Sequence, residues 1–144
     1  MKIGIASDHG GFELKEYLKE YLKKSGIEVS DFGTNSEEPV DYPIYGERCA
    51  RAVANGEVER GVVCCGTGIG ISIAANKVKG IRCALCTDEN MARLSRQHND
   101  ANVLALGGRT TSNEEAKKIL DAWLNAKFEG GRHQRRIDMI ENIK

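Results

Sequence analysis

Five short apolar runs, each leading into a stretch with helical periodicity, constrain this chain more than any other feature. Residues 2–6 (KIGIA), 27–32 (IEVSDF), 61–65 (GVVCC), 81–86 (IRCALC) and 102–106 (NVLAL) read as strands. The last three are apolar without alternation, as expected for strands covered on both faces. Leu14, Leu18 and Leu22, with Tyr17 and Tyr21 beside them, mark a helix over 12–24 that stops before Gly26. Tyr45, Cys49 and Val53 mark a second, after the turn-rich GTNSEEPVDYP. Residues 69–78, 88–98 and 112–126 follow, the last with Ala116, Ile119, Leu120 and Trp123 inward. After the Gly-Gly break at 130–131 comes one more helix, over about 131–143.

Strands alternating with helices imply right-handed βαβ units and a parallel sheet with helices on both faces. The expectation is a three-layer α/β fold, Rossmann-like or flavodoxin-like, with five strands in the order 2-1-3-4-5. The 144 residues show no repeat or linker, so residues 1–144 are read as one domain. In such sheets ligands bind beyond the carboxyl ends of the strands, where strand order reverses. Here that point lies between strands 1 and 3, which lead into SDHGG (7–11) and CGTGIG (65–70).

Charge and cysteine usage narrow the chemistry. Lys plus Arg number 21 and Asp plus Glu number 21, which gives no pull toward nucleic acid or a membrane surface. No apolar run approaches the roughly 20 residues of a membrane helix. The opening MKIGIASD has no signal-peptide core, and five cysteines is an odd count without a framework spacing. A cytoplasmic protein with reduced thiols is expected.

The glycine loop CCGTGIGIS (64–72) fails several familiar motifs. Gly66 and Gly68 suit a dinucleotide fingerprint, but position 71 is Ile and the third glycine arrives early, at Gly70. Ile71 precedes Ser72 where a Walker loop needs Lys, and neither Cys64 nor Cys65 has the downstream Arg of a cysteine phosphatase. What remains is a run of backbone N–H groups at a helix start, fit for a phosphate or for an oxyanion formed during reaction. The same glycines would also serve a tight βα turn.

Cys65 closes strand 3 at the mouth of this loop, where a helix N-terminus favours thiolate. Cys49, Cys64, Cys83 and Cys86 read as small buried hydrophobes, and CALC (83–86) lacks a second pair for zinc. Asp8 and His9 stand just past strand 1, as helix cap or as ligands for sugar oxygens. His98, followed by Asn99 and Asp100 at a helix end, is a structural histidine or an acid–base group. Arg109 follows strand 5. Arg132 and Arg136 share a helix face and could pin a phosphate or form a solvated basic turn. Together these groups suit proton transfer beside a carbonyl on a small phosphorylated molecule, with no metal cluster and no cofactor fingerprint.

SDHGGFELK, DYP, CGTGIGISIAANK, SRQHNDANVLALGGR and FEGGRHQRR closely resemble the type B ribose-5-phosphate isomerases. That family also holds galactose-6-phosphate and allose-6-phosphate isomerases. The likeness runs from residue 2 into the 130s. It implies metal-free, cofactor-free interconversion of ribose 5-phosphate and ribulose 5-phosphate in the pentose phosphate pathway. It also implies a homodimer or homotetramer whose active site is shared between subunits, the last helix contributing to the interface. By resemblance Cys65 is the base that moves a proton between carbons 1 and 2, with the Thr67 hydroxyl nearby. Amides from Gly66 through Thr67, Gly68, Ile69 and Gly70 would hold the enediolate oxygen. His98 would open the furanose ring, Asp8, His9 and Asn99 would bind sugar oxygens, and Arg109, Arg132 and Arg136 the phosphate. His133 and Arg135 stay outside this set. A six-carbon phosphosugar isomerase and a non-catalytic phosphate- or nucleotide-binding module are the alternatives.

Overall fold

The computed structural model describes all residues from Met1 to Lys144. Its elements are β1 (Lys2–Ser7), α1 (Phe12–Lys24), β2 (Glu28–Asp31), α2 (Tyr42–Ala54), β3 (Arg60–Cys65) and α3 (Ile69–Asn76). They continue with β4 (Cys83–Leu85), α4 (Glu89–Gln97), β5 (Val103–Gly107), α5 (Asn113–Asn125) and α6 (Arg132–Glu141). A single 3-10 turn, His9–Gly11, joins β1 to α1. Local chemistry sets several boundaries. The Asp88 carboxylate accepts from the Met91 N–H at 2.8 Å to cap α4, and Ser112 Oγ accepts from the Glu115 N–H at 3.1 Å to cap α5.

All strand pairs are parallel, and the order is β2-β1-β3-β5-β4. The expected order 2-1-3-4-5 therefore needs correction, because the last two strands are exchanged. Burial gives the reason. Val103, Leu104, Ala105 and Leu106 are all fully buried, which requires a strand on each side and a helix layer on each face. β4 has three half-buried residues and closes the edge.

The order also assigns each helix to a face, since crossovers between parallel strands are right-handed. The chain moves one way from β1 to β2 and from β4 back to β5, and the other way from β2 to β3 and from β3 to β4. α1 and α4 thus share one face, joined by α5, and α2 and α3 share the other. The core divides accordingly. Leu14, Leu18, Ala92, Ile119 and Trp123 cover Ile3, Ile5, Val62, Cys64, Leu104 and Leu106. Cys49, Ala50, Ile71 and Ala75 cover Ala6, Val63, Cys65, Val103 and Ala105. Adjacent Cys64 and Cys65 therefore face opposite layers. No helix is long and apolar enough to cross a membrane.

The reversal of strand order still falls between β1 and β3, so the crevice expected there stands. The exchange brings the end of β5 beside the end of β3 as well.

Candidate active site

Cys65 is the last residue of β3 and is 4% exposed. Its backbone pairs with Gly107 of β5, and its carbonyl accepts from the Gly108 N–H at 2.8 Å. The Gly66 carbonyl accepts from the Arg109 N–H at 2.9 Å. On the other side, the Asp8 N–H donates to the Cys64 carbonyl at 3.3 Å. Three strand ends are thereby laced together around one thiol.

The loop after Cys65 turns at once into α3. Gly68 adopts φ +81°, a left-handed conformation, and a β-carbon there would stand 2.8 Å from the Leu106 carbonyl carbon. That turn aims the Gly68 N–H at Cys65 Sγ, 3.2 Å away. The Ile69 N–H donates to Thr67 Oγ1 at 3.2 Å. Two of the five amides from Gly66 to Gly70 are therefore engaged within the loop. The Gly70 and Ile71 amides belong to the first turn of α3, where a helix has no acceptor for its N–H groups. The Tyr42 ring, at the start of α2, packs against Gly70 so closely that no side chain would fit there.

Asp8 is 6% exposed, and its Oδ1 accepts from the Gly11 N–H at 3.0 Å. One carboxylate oxygen thus serves as the helix cap. His9 Nδ1 accepts from the Val40 N–H at 3.1 Å, which leaves Nε2 as the ring's donor. His9, Glu13, Glu37 and Arg109 line a cleft of about 310 Å³. The Arg109 side chain lies across Gly10 and Gly66, with its guanidinium carbon 3.3 Å from where a β-carbon on Gly10 would stand. A larger cleft, about 510 Å³, lies elsewhere, between residues 76–81 and 140–144, and is lined by no cysteine or histidine.

His98, Asn99, Arg132 and Arg136 sit apart from this group. α4 runs antiparallel to the strands, so its last turn reaches the amino-terminal edge of the sheet. β5 then needs five residues, about 16 Å, to return the chain to the level of Cys65. Within one chain, Cys65 and His98 thus occupy opposite edges.

At that far edge His98 stacks on His133, with ring centroids 4.3 Å apart and planes 11° from parallel. Glu129 Oε1 lies 3.3 Å from His133 Nε2 and 3.8 Å from His98 Nε2. The Arg82 guanidinium donates to the Asn99 and Asp100 carbonyls at 2.9 Å each and pairs with Glu141 at 2.7 Å. It ties the Asn99–Asp100 turn to the end of α6. Arg132 and Arg136 are exposed on α6 and make no ion pair within the chain. Arg135 is exposed too.

Sequence reasoning missed Tyr42, His133 and Glu129 as neighbours of these groups. DYP and FEGGRHQRR contain all three, but nothing in their spacing says which face they meet.

Of the five cysteines, only Cys65 ends a strand at this loop, with an amide N–H donating to its sulfur. Desolvation pushes Cys49 up to about 12 and Cys86 up to about 11, and raises Cys64 and Cys83 as well. All five cysteines are free.

Residues 3–140 match the family model described as Ribose/Galactose Isomerase. The chain is 54% identical to ribose-5-phosphate isomerase B of Escherichia coli, over 99% of this chain and 96% of that protein. It superposes on ribose-5-phosphate isomerase B of Clostridium thermocellum with a TM-score of 0.97 and 59% identity, covering 98% of this chain and 95% of that one. A Mycoplasma genitalium ribose-5-phosphate isomerase B structure with bound ribulose-5-phosphate gives a TM-score of 0.92 at 47% identity, covering 97% and 93%.

Proposed function

The chain belongs to the ribose/galactose isomerase family, and from that premise we propose that it interconverts ribose 5-phosphate and ribulose 5-phosphate without a metal, using Cys65 as the base. The carrying observation is the Cys65 loop. It sets a thiol and helix-start amides at one strand end, with Gly68 N–H 3.2 Å from the sulfur. An amide donor is the partner a thiolate needs. Proton removal from the carbon next to the carbonyl builds charge on oxygen, which the amides of the Gly66–Gly70 loop receive. His9 Nε2 and the free oxygen of Asp8 serve the sugar's oxygens. Anchoring the remote phosphate through arginines holds the reacting carbons against the thiol, using binding energy away from the chemistry.

His98 supplies the proton that opens the sugar ring, and Asn99, Arg132 and Arg136 complete the sugar and phosphate contacts. Because these lie at the opposite sheet edge, each active site joins the Cys65 edge of one protomer to the His98 edge of another. The assembly so proposed is a homodimer or homotetramer, acting in the cytoplasm. Exposed apolar side chains at both edges support this assembly: Tyr42, Ile44, Ile69 and Ile73 on α2 and α3, and Met139, Ile140 and Ile143 at the end of the chain.

The test is turnover by the purified chain, stripped of metal, on ribose 5-phosphate and on allose 6-phosphate, for wild type and Cys65→Ala. Ribose 5-phosphate turnover that vanishes in the variant, while substrate binding persists, is expected. Preference for the six-carbon sugar would move the substrate, and near-normal turnover by Cys65→Ala would remove the thiol base.

A further inference from the structure

We propose that His98, Glu129 and His133 form a binding site for a first-row divalent transition cation, Zn²⁺ foremost, whose occupation stops the enzyme by capturing the His98 imidazole. The inhibitory part rests on the reading of His98 as a catalytic residue, and the metal site itself does not.

The ligand atoms of these three residues lie within 4.8 Å of one another. Tetrahedral zinc, with bonds of about 2.0–2.1 Å to nitrogen and oxygen, sets its ligand atoms roughly 3.3 Å apart. The His133–Glu129 pair already stands at 3.3 Å and the His98–Glu129 pair at 3.8 Å. His133 is 6% exposed, and its Nε2 is buried without a hydrogen-bond partner while facing Glu129. A buried ring nitrogen left in that condition is costly unless something claims it. The supports are fixed, because the Glu129 N–H donates to the Gln97 carbonyl at 3.0 Å, next to His98.

Two imidazoles and one carboxylate select for zinc and its neighbours over magnesium or calcium, which take oxygen ligands. Three protein ligands leave a fourth position for water. The stacked rings need one adjustment. A cation must lie in the plane of each imidazole it binds, and two nearly parallel planes 4.3 Å between centroids cannot share one. His133 is held by burial. The His98 side chain is 38% exposed and makes no hydrogen bond, so it is the ring that turns. Bound this way, His98 has no lone pair or proton at Nε2 to offer substrate.

Co²⁺ serves as the probe, because its visible absorption reports histidine and carboxylate ligands at low coordination number. The full chain should bind one Co²⁺ per protomer. Zn²⁺ should displace it and inhibit turnover in parallel, and chelator should restore activity. Glu129→Gln, at a half-exposed side chain, and His133→Asn should each weaken Co²⁺ binding beyond the roughly 10- to 100-fold lost when a ligand's outer partner is removed. Zn²⁺ inhibition, scored against each variant's own metal-free rate, should weaken by the same factor, whereas Cys65→Ala should bind Co²⁺ as wild type does. If His133→Asn fails to fold, Glu129→Gln alone decides. Unchanged Co²⁺ binding in Glu129→Gln, or binding lost only in Cys65→Ala, would overturn the site. Binding that requires Glu129 and His133 but leaves turnover untouched would keep the site and overturn the inhibition, and with it the role given to His98.

Discussion

Cys65 and Gly107 are direct partners across β3 and β5, so the thiol and the loop that carries Arg109 share one strand end. The pairing is tight. A β-carbon on Gly107 would stand 2.7 Å from both the carbon and the oxygen of the Thr67 carbonyl.

Gly107→Ala should therefore move the Thr67–Gly68 turn and with it the amide that faces the sulfur. Overpacking of this kind costs about 1–3 kcal/mol. Thermal melts and turnover, measured together, should show a modest loss of stability beside a much larger loss of kcat. Equal, small losses in both would mean that the turn tolerates displacement.

Iodoacetamide near neutral pH should label Cys65 and spare the other four cysteines. Burial raises Cys49, Cys64, Cys83 and Cys86. Cys65 ends its strand at the crevice, and the Gly68 N–H donates to its sulfur. Peptide mapping should find a single modified site whose extent tracks the loss of turnover. Labelling of Cys83 or Cys86 ahead of Cys65 would count against the assignment.

Asp31 governs acid stability. Burial pushes its carboxyl up, but hydrogen bonds from the Lys15 and Lys19 ammonium groups and the Gly33 N–H outweigh this and hold it below the usual carboxylate value. The stabilisation is therefore fully present above the ordinary carboxylate pKa of about 3.9 and is lost as pH falls through the lowered one. The Lys15 side chain is fully buried, with its Nζ 2.8 Å from Asp31. Asp31→Asn leaves that charge poorly compensated and should cost about 3 kcal/mol or more at neutral pH. Its melting temperature should also decline less steeply than wild type on acidification. Parallel acid limbs in the two proteins would show that Asp31 carries none of the pH dependence.

Much of the fold is legible in the residues because apolar runs mark the strands, and hydrophobic period and glycine stops mark several of the helices. Lateral strand order is not. IRCALC and NVLAL look equally buried as strings, and only the packed sheet shows that the first has one strand neighbour and the second has two. The carboxyl-edge half of the site is legible because Asp8, His9 and residues 65–70 are consecutive in their loops. The relation of His98 to Cys65 is not, since residue spacing carries no sign of which sheet edge a helix end reaches. The right-handed crossover and the length of β5 decide it.

The most direct test of the shared active site mixes two inactive variants, Cys65→Ala and His98→Asn, by unfolding and refolding them together. In a two-fold symmetric pair, a mixed dimer holds one doubly damaged site and one intact site, with Cys65 and His98 from different protomers. Random mixing should then recover about a quarter of wild-type turnover per chain, since about half the dimers are mixed and each has one working site. Proven mixed dimers without recovered turnover would place both residues in one chain's site and contradict the account.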